Sequence, residues 1–185
     1  MKPYALLGGL ATLSLFTLHG ATYLGLKAQD PVREHARMIG GRLAPVSFVL
    51  VTAFLGWTYL SAHAWHHVGL VPPLLPILAV GILAAVGWLI GEKLEGWAFV
   101  ATALVIVAFF TTLLLNLYPN VLVSSVHSSY DLTIVASASH PYTLKVMSWV
   151  ALIFTPFVLA YQSWTYWVFK KRVGRPERVE QPAEA

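Results

Sequence analysis

Residues Trp97 to Tyr118, WAFVATALVIVAFFTTLLLNLY, contain no Asp, Glu, Lys or Arg and end at Pro119. A stretch of this length and polarity is what a helix needs to cross the hydrocarbon layer, roughly 20 apolar residues at 1.5 Å each. A surface helix of a soluble protein would show a polar stripe, because one side of it meets water. Four more stretches read the same way: about Tyr4 to Leu26, Val46 to His66, Leu74 to Ile90 and Tyr142 to Phe169. Pro72 and Pro73 lead into the third, and Pro76 fits its first turn. Pro156 lies mid-way along the fifth and predicts a kink there. The fold class expected is therefore all-α, an integral membrane bundle of about five helices over residues 1–173, with a disordered tail at 174–185.

Composition agrees. Of 185 residues, 57% are hydrophobic and 11% charged, against about 45–50% and about 25% in soluble domains. With no cysteine, thiolate metal sites, disulfides and cysteine nucleophiles are excluded. The net charge of +4 is no nucleic-acid signature, because the basic residues sit at helix ends. Lys27, Arg33, Arg37, Arg42, Lys93, Lys170, Lys171, Arg172, Arg175 and Arg178 fall on one side of the five spans, and only Lys2 and Lys145 on the other. The positive-inside rule then predicts an outside N-terminus and a cytoplasmic C-terminus.

Between the first two spans, residues 30–41 read as a short interfacial helix. Asp30 caps it, Pro31 opens it and Gly40 with Gly41 ends it. Val32, Ala36 and Ile39 would share its apolar face, leaving Arg33, Glu34 and Arg37 for lipid headgroups. The loop from Pro119 to Pro141 is rich in serine and carries one acidic residue, Asp131.

Ionisable residues inside a bilayer mark function. None of the five spans holds an embedded acid or a deep Lys or Arg, which speaks against a proton-driven pump. His19 and His63 are the embedded imidazoles. Along opposed helices they would lie about 22 Å and about 5 Å below the outer boundary, too far apart to share one haem iron. His19 is expected to be a hydrogen-bonded packing residue. His63, His66 and His67, spaced i, i+3 and i+4, are the candidate metal ligands, although no carboxylate stands near them in sequence and no metal is the favoured expectation. Asn116, Ser124 and Ser125 complete the polar candidates, Asn116 as an interhelical tie. Gly8 with Thr12 and Gly87 with Gly91 mark close helix packing. No nucleophile–base pair, phosphate loop or nucleic-acid motif is present, so no catalytic residue and no nucleic-acid partner is expected.

Three stretches together resemble one family. They are Pro3-Tyr4-Ala5-Leu6-Leu7-Gly8-Gly9-Leu10 running on to Leu18-His19-Gly20-Ala21-Thr22-Tyr23-Leu24, then Leu117-Tyr118-Pro119-Asn120-Val121-Leu122-Val123-Ser124-Ser125, then Leu132-Thr133-Ile134 with Ser139-His140-Pro141-Tyr142-Thr143-Leu144-Lys145-Val146-Met147 and the closing Leu159-Ala160-Tyr161-Gln162 and Tyr166-Trp167. In order and spacing they resemble the C-terminal half of subunit II of the cytochrome bd quinol oxidases. The resemblance implies a bacterial or archaeal cytoplasmic membrane and a place in a respiratory complex that oxidises quinol and reduces dioxygen to water. It implies haems b and d in a partner, the haem-bearing subunit I, with none bound by this chain alone, and a structural quinone or lipid as a further bound group. His19 falls where the family often carries another polar residue, and the resemblance implies a packing or water-chain role for it. The family's subunit II also has a preceding half of four helices, so the chain is expected to be a fragment, a truncated frame or one part of a split subunit, with that N-terminal half as partner. The alternative from the residues alone is a small transport or ion-binding membrane protein using His63, His66 and His67.

Overall fold

The computed structural model describes residues 3–64, 74–124 and 127–169. The expected all-α bundle is what forms. Helix α1 spans Pro3–Lys27, α2 Val32–Ala64, α3 Leu74–Gly91, α4 Glu95–Leu117 and α6 Pro141–Val168, and each is long and apolar enough to cross a membrane. A short helix α5, Ile134–Ser137, precedes α6. The sequence-predicted tail 174–185 lies outside the described residues.

Helices α1 to α4 pack in sequence order, with α4 closing back on α1. The residues that meet are mostly small or branched aliphatics, with Phe54 and Phe109 among them. Ala11, Leu15, Leu18 and Ala21 recur every three or four positions along α1, which puts them on one face. Of these, Ala11, Leu15 and Leu18 meet Val51, Phe54 and Leu55 of α2 and Val105 and Phe109 of α4 in one continuous core. Without a hydrophobic driving force between helices in lipid, close approach and dispersion must supply the cohesion. Gly8 shows what this requires: a Cβ there would sit 2.8 Å from Cε2 of Phe54. Gly87 brings α3 against Ala44 in the same way, at 3.7 Å from an added Cβ, whereas Gly91 has open space.

The region expected to be a separate interfacial helix differs. Val32 to Ala64 is one helix of 33 residues that passes through Gly40, Gly41 and Pro45. The glycines do not terminate it because Gly40 is packed: an added Cβ would lie 3.5 Å from Ile90 and 3.7 Å from Ala21. A glycine pair stops a helix only where the chain can turn away, and here α1 and α3 hold it in line. The expected face is rotated too. Ala36 is buried, but Val32 and Ile39 are half exposed, and the bundle-facing stripe instead runs through Ala36, Gly40, Ala44 and Ser47.

The turn from α3 to α4 is tight. Leu94 N–H donates to Leu89 O at 3.0 Å, and Lys93 takes φ 61°, the left-handed conformation a helix stop needs. At the other end of α4, the loop is ordered by a small antiparallel pair, β1 (Asn120–Leu122) and β2 (Leu132–Thr133), with Asn120 opposite Thr133. Asp131 holds it: one carboxylate oxygen accepts Ser124 N–H at 2.7 Å. Thr133 caps α5 by accepting Ala136 N–H at 3.2 Å.

Helix α6 stands apart. All its residues except Thr165 are exposed, and its C-terminal end is tied to α1 where Lys27 Nζ donates to Phe169 O at 3.4 Å. Pro156 is inside this helix.

Candidate functional site

The bundle's apolar stripe is interrupted on α1 by His19 and Thr22, one turn apart, and on α4 by Thr102, one turn beyond Phe99. Because α1 and α4 are in contact, the two pairs meet. His19 Nδ1 lies 2.7 Å from Thr102 Oγ1, and Thr22 Oγ1 lies 3.3 Å from the same oxygen. Each threonine also donates to a carbonyl of its own helix, Thr22 to His19 O at 2.8 Å and Thr102 to Phe99 O at 2.9 Å. With both hydroxyl hydrogens so placed, Thr102 Oγ1 accepts Nδ1–H of His19, and Nε2 keeps its lone pair. Phe99 stacks on the imidazole at 4.6 Å between centroids, and Tyr23 flanks Phe99 at 5.8 Å. Counting eight residues back from Lys27, His19 lies about 12 Å from that end of α1.

At the Lys27 end of the bundle a second polar group forms. Glu95 opens α4, where a carboxylate complements the positive end of the helix dipole. Arg33 reaches it from α2, with Nε and Nη2 at 3.1 and 2.9 Å from Oε1. One turn on, Arg37 donates from Nη2 to the same oxygen. The arginines expected at lipid headgroups therefore turn inward, because a shared carboxylate draws them to the bundle; Glu34 stays exposed. A small crevice joins the two polar groups, with Thr22 on one side and Arg37 and Glu95 on the other.

The remaining sequence candidates scatter. Asn116 is half-buried near the end of α4 and makes no side-chain hydrogen bond among the described residues. Interhelical ties are formed by pairs the sequence reading did not name: His19–Thr102, and Tyr4 OH with Thr58 Oγ1 at 3.0 Å between α1 and α2. Ser124 serves the loop; its hydroxyl oxygen lies 3.5 Å from His127 N–H. Ser125 is outside the described residues, as are His66 and His67. His63 falls in the last turn of α2. Among the described residues, no three His, Cys, Asp or Glu side chains gather as a metal site.

His19 is the embedded imidazole of the bundle: Thr102 engages its Nδ1 and Phe99 covers one ring face, so the ring is fixed against α4.

The fold and these helix-to-helix polar contacts define a multi-pass helical membrane protein. The family model described as cytochrome bd terminal oxidase subunit II matches residues 1–169, and the chain belongs to that family. It is 34% identical over 174 residues to cytochrome bd ubiquinol oxidase subunit 2 of Bacillus subtilis, covering 94% of this chain and 52% of the relative. Against cytochrome bd-I ubiquinol oxidase subunit 2 of Escherichia coli K12 it is 24% identical over 206 residues, covering 96% and 54%. A probable cytochrome oxidase subunit 2 of Haemophilus influenzae is 29% identical over 203 residues, covering 95% and 53%. The chain thus spans about half the length of the curated relatives it matches.

Proposed function

We propose that the chain acts as the C-terminal half of a subunit II in a quinol oxidase complex, supporting a haem-bearing partner that oxidises quinol and reduces dioxygen to water. The observation that carries this reading is the family match over residues 1–169, on a bundle whose helices are joined by the His19–Thr102 and Tyr4–Thr58 pairs and the Arg33–Arg37–Glu95 cluster. In this reading haems b and d belong to subunit I, and the N-terminal half of subunit II is a further partner. The distribution of positive charges supports an orientation with the Lys27, Arg33 and Glu95 end in the cytoplasm and the Asp131 loop outside. Helix α6, with its aromatic and aliphatic side chains exposed, is the element such partners would cover.

This chain's own contribution is then mechanical and dielectric. The packed α1–α4 unit excludes water, and His19, Thr22 and Thr102 lock α1 to α4, so the surface offered to the haem subunit is rigid. The chemistry of oxygen and quinol is supplied by groups held elsewhere in the complex.

A tagged purification from native membranes in mild detergent, read by intact mass and visible absorption, tests it. Co-purification of a larger subunit with haem absorption is the expected result. A colourless chain recovered alone would overturn the reading.

A further inference from the structure

We propose that the groove between α1 and α4, on the outside of the bundle, seats a membrane-spanning helix of the N-terminal half that donates a side-chain hydrogen bond to Nε2 of His19. The proposal rests on the reading of this chain as the C-terminal half of a subunit II and says where the other half attaches. His19 is half-buried and turns only Nδ1 to Thr102. Its Nε2 opens to the outside of the bundle and has no hydrogen-bond partner among the described residues. Helix α1, at 25 residues, measures about 37 Å against about 30 Å of hydrocarbon. A nitrogen about 12 Å from its end therefore lies among lipid tails. No water is there to donate, and a polar atom left without a partner in hydrocarbon is costly.

The surroundings of that nitrogen fit a helix. Gly20, beside His19, is exposed, and a Cβ added to it would meet nothing within 4 Å. Nothing inside this chain requires a glycine there, whereas a second helix packed from outside would use it for close approach. Phe16 and Tyr23 share that side of α1, one turn before Gly20 and one turn after it, and are 47% and 39% exposed. Across the groove they meet Phe110 and Phe99, with ring centroids 6.0 and 5.8 Å apart. A lipid chain would cover these rings but brings no donor to Nε2. A helix can supply both.

Chain order points to the occupant. The described helices pack in sequence order, as consecutive elements usually do, so the helix that precedes α1 in a longer subunit has α1 as its natural neighbour. With α2 and α4 already on α1, the side bearing Gly20 is the one left free. The matched stretch covers 52% of the Bacillus subtilis relative and 54% of the Escherichia coli one, which leaves length in each for a second bundle of similar size.

The test uses the absence of cysteine from this chain. Gly20→Cys, at a position with room for a side chain, is labelled in native membranes with a thiol-linked benzophenone and irradiated, and the purified complex is read by peptide mass spectrometry. Adducts to a membrane-spanning segment of the N-terminal half are expected from Gly20→Cys and not from Gly81→Cys, an equally open glycine on α3. Added to Gly20→Cys, His19→Phe keeps a ring on Phe99 but removes the acceptor. It should lower the yield of that adduct in the solubilised complex about threefold or more, the worth of one hydrogen bond between membrane helices. Thr102→Val, which removes only the bond to Nδ1, should change the yield less than about twofold. Equal losses from the two variants would overturn the proposal, because the imidazole would then only lock α1 to α4. Adducts from Gly20→Cys to lipid alone, to α6 or to the haem subunit, with the N-terminal half present in the preparation, would also overturn it and leave the oxidase reading standing. A preparation with neither haem nor an N-terminal half fails that reading itself, and the proposal with it.

Discussion

Nδ1 of His19 on α1 and Oγ1 of Thr102 on α4 stand 2.7 Å apart across the contact that closes the four-helix unit. Thr102 is fully buried, so its oxygen has no water to fall back on. Hydrogen bonds between membrane helices are worth about 0.6–2 kcal/mol, because the separated helices find other partners. His19→Ala and Thr102→Val should each lower the stability of the assembled protein by about that amount. The double variant should cost less than the sum, since both remove one bond. Unfolding in mixed micelles against added dodecyl sulfate would measure all three. If the oxidase reading holds, the haem spectrum of the assembled His19→Ala complex should persist, and its complete loss would show that the imidazole does more than lock two helices.

Gly8 and Gly9 make a paired prediction from adjacent positions on α1. A methyl group at Gly8 would press on Phe54, 2.8 Å away, while one at Gly9 would meet nothing within 4 Å. Phe54 has little room to retreat, stacked by Tyr4 at 5.0 Å and met by Phe109 at 5.6 Å. Gly8→Ala should therefore destabilise by about 1–3 kcal/mol, the usual cost of overpacking. Gly9→Ala should be neutral or stabilise by up to ~1 kcal/mol, since alanine is the better helix former. Equal effects at the two positions would contradict the packing of α1 on α2.

How much of this was legible in the sequence follows from which signals are local. The five long apolar stretches were, because helix length in a bilayer is fixed by its thickness and needs no tertiary knowledge. Gly8 and Gly87 as close-packing sites were legible for the same reason: small residues in apolar helices have few other uses. The junction at Gly40 and Gly41 was misread, because a glycine pair ends a helix or packs it depending on what lies alongside, and Ile90 and Ala21 are remote in sequence. The polar pairing was only half visible. His19 stood out as a lone imidazole, but Thr102 is one of several threonines in apolar helices, and nothing local says which meets it. Glu95 was hidden at a helix end. The signal that could have found it is the spacing of Arg33 and Arg37, one turn apart, which implies a common acidic partner.

That partnership predicts an asymmetry. Glu95 is 12% exposed and its arginines 23%, between the surface and interior regimes. Exposed ion pairs contribute up to about 1 kcal/mol, whereas removing one partner of a buried pair costs about 3–5 kcal/mol. Glu95→Gln leaves two guanidiniums facing each other and should cost about 1–2 kcal/mol in the same unfolding assay. Arg33→Lys keeps the charge but has one nitrogen where Arg33 uses two, and should cost less than 1 kcal/mol, roughly the worth of one such hydrogen bond. A larger loss for Arg33→Lys than for Glu95→Gln would mean that the geometry of the arginine, not the charge balance, secures this end of the bundle.

Neighbouring phenylalanines on α4 test what holds the core together. Phe109 is 0% exposed and Phe110 38%, and their rings meet edge to face at 5.4 Å. In water, truncating a buried phenylalanine costs about 3–5 kcal/mol, combining lost transfer energy with the cavity left behind. In lipid the transfer contribution largely vanishes, because the separated helix is still surrounded by hydrocarbon. The cavity contribution survives, since packed neighbours cannot fully collapse: ~100 Å³ of lost volume at about 24 cal/mol per Å³ gives about 2 kcal/mol. Phe109→Ala should accordingly lose about 2 kcal/mol, and Phe110→Ala, whose space lipid chains or a partner helix can refill, less than about 1 kcal/mol. Unfolding of the two variants in mixed micelles separates the cases. A Phe109→Ala loss of 4 kcal/mol or more would mean that this side chain meets water when the chain unfolds, so the unfolded state of α4 would lie outside the membrane.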